Sequence, residues 1–384
     1  MPKSRRTLLI ILAIGVFIVL AATVVIYPKA ERQWSAPLGP ALELPTYTPT
    51  IEGQVDQPTP PLEAVAVATT PIEKATQSAG STATTISTAI PSPQPLCGGP
   101  PVMAVLAIGA DSDDYDYGLA DVIRIARVDF ATPKVSVLSM PRDLWVQIPD
   151  IADHYNITNG KLNQAYFYGG PGMGYYQGPG GGPGLLARTL DLNFGLRVDH
   201  YGAVNMQTFS KIVDAVGGID LYLPTDVDGR PIDDHTADMG YFTAGQHHFN
   251  GDEALRFSRI RKKYNDFTRM DNQNMVICAL KAKLTTPAVL PKIPQIIAAF
   301  QGSVLTDLSL EKIGQMACLL PHLKRENLLF TSLPEDILSP GRVYNPRQKN
   351  TTFVMQADYE VIRQYIKQFM EGTWPSEPNE PTCP

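Results

Sequence analysis

The sequence has little of what most enzyme signatures require. Its six histidines form no ligand set, and its four cysteines include no C-x-x-C pair, so neither a zinc site nor a nucleophilic thiol is expected. No G-x-S-x-G elbow, H-E-x-x-H helix, Walker loop or dinucleotide fingerprint stands in a suitable context. Positive charge is also short: 32 Lys and Arg face 38 Asp and Glu, for a net charge of −6. That balance argues against a nucleic-acid partner, which normally meets a basic face. What is present is 44% hydrophobic residues over 384 positions, with 34 prolines and 30 glycines. The hydrophobic share is ample for a sizeable core and excludes a wholly disordered chain.

The chain divides by composition. Lys3, Arg5 and Arg6 precede an uncharged run, LLIILAIGVFIVLAATVVI (residues 8–26). As a helix the run is roughly 28 Å long, close to the hydrocarbon thickness of a bilayer. The positive-inside rule then sets residues 1–7 as a cytoplasmic tail, 8–27 as a transmembrane helix and the remainder outside the cell membrane. A cleaved signal peptide is the competing reading, against which stand the length of the run and the lack of a clean A-x-A site. Residues 28–96 read as a disordered Pro/Thr/Ser-rich stalk: the stretch PTPPLEAVAVATTPIEKATQSAGSTATTISTAIPSPQPL has no aromatic residue and only Glu63, Glu73 and Lys74 charged. Residues 97–375 form the globular region, and 376–384 a short tail. The cysteines at 97, 278, 318 and 383 all follow the apolar run, which fits two disulfides in an oxidising compartment. Of the three pairings, 97–383 with 278–318 is favoured, because Cys97 and Cys383 bracket the folded region while Cys278 and Cys318 fall in helix-like segments.

Within the globular region, residues 103–108, 122–128, 134–139 and 219–223 read as strands, with a turn at 129–133 pairing two of them antiparallel. Residues 205–216 carry apolar side chains at helical spacing and end in Gly217 and Gly218. Further helices are expected at 252–257, 267–284, 310–320 and 358–369. The fold class is α/β: a three-layer-like sandwich with a central mixed sheet flanked by helices. The glycine-rich stretch GGPGMGYYQGPGGGPG (169–184) reads as too flexible for a regular element, either a mobile lid or a solvated loop. His247 and His248 read as part of a turn, and His154 and His200 as structural.

Three polar clusters stand against this scaffold. Asp111, Asp113, Asp114, Asp116 and Asp121 follow the first strand, where open α/β sheets bind ligands, and such oxygens suit Mg²⁺ or another divalent ion. Asp111 and Asp121 are the better placed, one closing a strand and the other opening the next; the rest read as a solvated loop. Arg142 and Asp143 follow another strand, where a guanidinium held by its neighbour projects into a cleft. The third cluster is LRFSRIRKK (255–263), followed by Asp266, Arg269 and Gln273. If extended, this chain sets Arg259 and Arg261 on one face, with Ile260 opposite. Asp266, Arg269 and Gln273 share one stripe of a helix that Asp266 would cap. Converging guanidinium groups grip phosphate oxygens, and with the carboxylates they point to a metal-assisted site for a phosphorylated ligand; an ordinary salt-bridged basic surface is the bland alternative.

LAIGAD (106–111), LADVI (119–123), SMPRDLWVQIP (139–149), KLNQAYFYGG (161–170), DHYGAVNMQTFSKIVDAVGGIDL (199–221), GDEALRFSRIRK (251–262) and NDFTRMDNQ (265–273) resemble, in this order, the LytR–CpsA–Psr family. The resemblance implies an extracytoplasmic, membrane-anchored, Mg²⁺-dependent phosphotransferase. Its members move a glycopolymer from a polyprenyl-pyrophosphate carrier to cell-wall peptidoglycan, with the lipid tail in an apolar tunnel. On matching positions it implies Asp111 and Asp121 as metal or acceptor residues. Arg142, Arg259, Arg261 and Arg269 then bind phosphate together with Gln273, and Asp143, Lys161, Asn163 and Asp266 support them.

Four positions depart from the family pattern: Asp113 replaces an arginine, Leu119-Ala120 replaces Arg-Ser, and Asn272 replaces a helix arginine. The anion clamp is thinner for it. A polyprenyl-pyrophosphate phosphatase and a non-catalytic lipid-carrier or wall-glycan binding protein therefore stand as alternatives.

Overall fold

A computed structural model describes residues 34–45, 94–234, 236–261, 266–345, 349–375 and 383. The expected transmembrane helix at 8–27 and most of the expected stalk lie outside these residues. Among the described residues no helix is long and apolar enough to cross a membrane.

The chain enters through three strands, β1 (Val102–Ala110), β2 (Ala120–Asp129) and β3 (Lys134–Ser139). A short ribbon of β4 (Trp145–Gln147) and β5 (Asn159–Lys161) leads into two helices, α1 (Leu162–Gly169) and α2 (Gly181–Phe194). After β6 (His200–Val204) comes α3 (Met206–Ala215), whose start is set by Asn205 accepting the Thr208 N–H at 2.8 Å. Then follow β7 (Ile219–Leu223), the two-residue strands β8 (Val227–Asp228) and β9 (Tyr241–Phe242), and β10 (Gly245–Phe249). Asn250 and Glu253 close a reciprocal capping box on α4 (Gly251–Arg259), which α5 (Asp266–Leu284) follows. The remaining elements are α6 (Ile293–Ala299), β11 (Leu305–Thr306), α7 (Leu310–Leu319), β12 (Leu328–Ser332), the hairpin β13 (Ser339–Asn345) and β14 (Asn350–Gln356), and α8 (Tyr359–Glu371).

The main sheet runs β11-β6-β1-β2-β3-β12. β1, β2 and β3 pair antiparallel, while β6 joins β1 and β12 joins β3 in parallel. This is the expected mixed sheet between helical layers. On one face Ala104, Leu106, Ile108, Ile123 and Ile125 pack beneath α1, α2 and α8. On the other, Met103, Val105 and Val128 pack beneath α7, and Val137 packs against α5. A smaller apolar layer joins β7 and β10 to α3, α4 and α5 through Val213, Phe249, Phe257 and Val276.

Four expectations are corrected. The disulfides are Cys97–Cys318 and Cys278–Cys383, so the cysteines of α5 and α7 each tie down a segment flanking the globular region rather than one another. Within the expected stalk, residues 34–44 lie on the domain. The Leu38 N–H donates to the Leu308 carbonyl at 3.2 Å, Tyr201 donates its hydroxyl proton to the Pro40 carbonyl, and Leu42 and Leu44 join the core. The glycine-rich stretch ends in a regular helix, α2. A Cβ on Gly182 would sit 2.7 Å from the Tyr166 carbonyl oxygen, and one on Gly169 would sit 2.7 Å from the Gly181 oxygen. The glycines let α1 and α2 touch backbone to backbone. Lastly, His247 and His248 lie within β10, where His248 pairs with Asp220 at 2.6 Å. His200, by contrast, is structural as expected, held against Asp307 at 3.2 Å.

Candidate active site

The site begins with the outer face of β1, β2 and β6. Along that face of β1, the alternation that buries Met103 and Val105 continues into Ala107 and Gly109. Gly202 of β6 pairs with Ala107, and Val204 with Gly109. A Cβ on Gly202 would meet nothing within 4 Å. Small residues at these positions leave a cavity of about 630 Å³ above the sheet, roofed by Phe209, Met239, Leu255 and Val276. Its lining is mainly apolar except at one end, over β2.

At that end most of the expected residues converge. Asp111, Asp121, Arg142, Arg259, Arg261, Arg269 and Gln273 all line the cavity. Arg142 pairs with Asp121 and its Nε lies 3.4 Å from Asp143. Lys161 reaches the same Asp143 at 2.7 Å. The Asn163 N–H donates to the Arg142 carbonyl at 3.0 Å, which fixes the loop from the rear. Arg269, buried on α5, stands 3.8 Å from Asp121. Arg259 is the last residue of α4 and not extended, yet the expected alternation holds: Ile260 is buried while Arg259 and Arg261 are exposed at the cavity. Arg259 makes no ion pair among the described residues. Asp266 is the first residue of α5, and its side chain lies outside the description. Asp113, Asp114 and Asp116 stand on the loop after β1, away from the cavity lining, as a solvated loop requires.

One functional residue was missed by the sequence reasoning. Arg124 of β2 is 3% exposed and lines the cavity between Val122 and Arg142. It donates to Asn274 Oδ1 at 2.5 Å, to Gln273 Oε1 at 3.1 Å and to the Met270 carbonyl at 3.2 Å. Its Nε is buried without a partner. Burial, and then the charge of Arg269, hold its guanidinium down to about 10. The available signal was an arginine placed inside an otherwise apolar strand, VIRIA.

Cations outnumber carboxylates among the described lining residues. Among the described residues lining the two adjoining cavities, the charged side chains are Arg124, Arg142, Arg259, Arg261, Arg269 and Lys161 with Asp111, Asp121 and Asp143. Such an excess of partly desolvated cations suits a multiply charged anion. Burial raises the Asp111 carboxyl above the usual range and the charge of Asp121 adds to it, opposed by the Leu119 N–H and Arg142. Asp111 and Asp121 line the same cavity, and carboxylate oxygens are the donor type that a hard divalent cation takes. Among the described residues the one three-ligand grouping is Cys97, Cys318 and His322, whose sulfurs are already joined in a disulfide.

The site is thus the junction of an apolar cavity with a group of arginines and two carboxylates, set in a mixed-sheet α/β domain. The sequence profile of the LytR_cpsA_psr family matches residues 72–368. The chain belongs to the LytR–CpsA–Psr family. It is 28% identical over 208 residues to the regulatory protein MsrR of Staphylococcus aureus, covering 54% of this chain and 56% of MsrR. To the polyisoprenyl-teichoic acid–peptidoglycan teichoic acid transferase TagU of Oceanobacillus iheyensis it is 30% identical over 211 residues, 54% of this chain and 60% of TagU. The chain thus matches little more than half the length of these relatives. In structure it is similar to B. subtilis TagV, with a TM-score of 0.53 at 22% identity, over 70% of this chain and 97% of TagV. It is also similar to TagT bound to LIIa-WTA, with a TM-score of 0.52 at 19% identity, over 70% of this chain and 90% of TagT. These two likenesses concern the fold.

Proposed function

We propose that this chain is a membrane-anchored phosphotransferase that moves a glycopolymer from a polyprenyl-pyrophosphate carrier to peptidoglycan. The observation that carries the reading is the junction of an apolar cavity of about 630 Å³ with a cluster of five arginines at one end. A long isoprenoid tail with a diphosphate head has that same division of character. The name of the Oceanobacillus relative, a teichoic acid transferase acting between a polyisoprenyl carrier and peptidoglycan, supports the class. Two disulfides support an oxidising, extracytoplasmic compartment, with the N-terminus cytoplasmic.

In the reaction an acceptor hydroxyl oxygen attacks the phosphorus that carries the glycopolymer, forming a new P–O bond. The bond from that phosphorus to the bridging oxygen breaks, and this oxygen leaves on the lipid-linked phosphate. The products are a glycopolymer–acceptor phosphodiester and polyprenyl phosphate. The hydroxyl proton passes to one of the two carboxylates, Asp111 or Asp121. Arg142, Arg259, Arg261 and Arg269 hold the diphosphate and stabilise charge growing on its non-bridging and leaving oxygens. Arg124 holds Gln273 in place from below. Asp111 and Asp121 are the residues that would hold Mg²⁺, which would supply Lewis-acid stabilisation of the same oxygens.

The test incubates the full-length protein with a glycan-bearing polyprenyl diphosphate and Mg²⁺, with and without a peptidoglycan acceptor. Acceptor-dependent transfer supports the proposal. Release to water alone indicates a phosphatase. Binding without turnover, indifferent to Arg261→Ala, indicates a carrier or glycan-binding protein.

A further inference from the structure

The apolar cavity occupies only one side of the anion-binding residues. A second cavity of about 460 Å³ lies on the other side, over β2 and β3, and shares Asp121, Arg142, Arg261 and Arg269 with the first. Its outer wall is the β13–β14 hairpin, through Phe353 and Met355. The hairpin is fixed to the site: the Met355 N–H donates to the Asp143 carbonyl at 2.9 Å, and Leu144 forms a bridge with Met355. Val354 points into the core, so Phe353 and Met355 share the opposite face. Register places Arg342 opposite Phe353 and Tyr344 opposite Thr351, hence on that face too. Phe353 is 45% and Tyr344 62% exposed.

Displacement at phosphorus needs the entering and leaving oxygens in line, on opposite sides. If the leaving lipid phosphate lies toward the apolar cavity, the entering hydroxyl arrives from the second one. We infer that the Phe353, Tyr344 and Arg342 face of the hairpin is the acceptor subsite, taking a glycan strand. The inference rests on the transferase reading for its direction of attack. Sugar rings present apolar C–H faces that stack on aromatic rings, together with hydroxyl and acetamido groups that accept from a guanidinium. Phe353 lines the second cavity beside Arg142, Arg261 and Arg269, and Tyr344 and Arg342 extend its face along the hairpin, which offers that combination.

The experiment compares the full-length wild type with Phe353→Ala and with the Phe353→Ala/Tyr344→Ala double variant. Both positions are solvent-facing, and thermal melting checks that the fold is kept. Acceptor KM is expected to rise about tenfold in the double variant, while binding of geranylgeranyl diphosphate stays unchanged. An unchanged acceptor KM, or a parallel loss of diphosphate binding, overturns the subsite. If wild type transfers nothing, the transferase reading fails by itself. The subsite is then judged by titrating a peptidoglycan glycan fragment. Weaker binding by the double variant supports it; equal binding overturns it.

Discussion

The two faces of the central sheet are made by the same strands, yet one is filled and the other left open. On the filled face Leu106, Ile108, Ile123 and Ile125 are fully or almost fully buried beneath three helices. On the open face the corresponding stretch carries Ala107, Gly109 and Gly202, and a cavity stands where side chains would otherwise be. The difference shows how one alternating pattern serves two purposes. Large aliphatics every second residue hold the fold together, and small residues between them leave a cavity. β2 marks the limit of that room, because Asp121 and Arg124 stand among apolar side chains there and give the floor a charged end.

Substitutions on either face separate the two roles. Leu106→Ala, on the filled face, is expected to cost about 2–5 kcal/mol of stability, seen as a lowered midpoint in urea, with the site chemistry intact in the folded fraction. Arg142→Ala, on the open side, is expected to lower transfer by about 10²–10³-fold, or about 2.7–4 kcal/mol of transition-state stabilisation. Its measured melting shift should be smaller than that of Leu106→Ala. Gly182→Ala probes the filled side again. Its Cβ meets the Tyr166 backbone at 2.7 Å, so a loss of about 1–3 kcal/mol is expected from overpacking α1 against α2. Gly202→Ile has the smallest expected effect on folding, since nothing lies within 4 Å of the new Cβ. It fills the cavity, and isoprenoid diphosphate binding is expected to weaken about tenfold, as when roughly two buried methylenes are displaced. Equal destabilisation by Gly182→Ala and Gly202→Ile would break the contrast between the faces.

Much of this was readable beforehand, for definite reasons. β3 (Lys134–Ser139) and β7 (Ile219–Leu223) fall on the expected residues because their apolar runs end in clear turn signals. Arg142, Arg259, Arg261 and Arg269 were found because they follow strands or cluster in one stretch. Helix α2 was hidden because its first turn contains three glycines, poor helix formers; contact with α1 holds it, and contact leaves no local signal. Arg124 was hidden because one charge in a strand usually faces solvent, and only the layer of α5 above shows that this one does not. The disulfide pairing depends on which flanking segments meet α5 and α7, a long-range fact that cysteine positions along the chain do not carry. Residues 34–44 share the stalk's proline-rich character, and only Leu42 and Leu44 seated on the core set them apart.

The central claim is that the open face holds an isoprenoid tail while the arginines hold its diphosphate. The most direct measurement titrates wild type and Gly202→Ile with geranylgeranyl diphosphate and, separately, with inorganic pyrophosphate. Wild type is expected to bind the isoprenoid diphosphate more tightly than pyrophosphate, and Gly202→Ile to lose this increment while keeping its affinity for pyrophosphate. Equal affinity of wild type for the two ligands, or an isoprenoid increment untouched by Gly202→Ile, would contradict it.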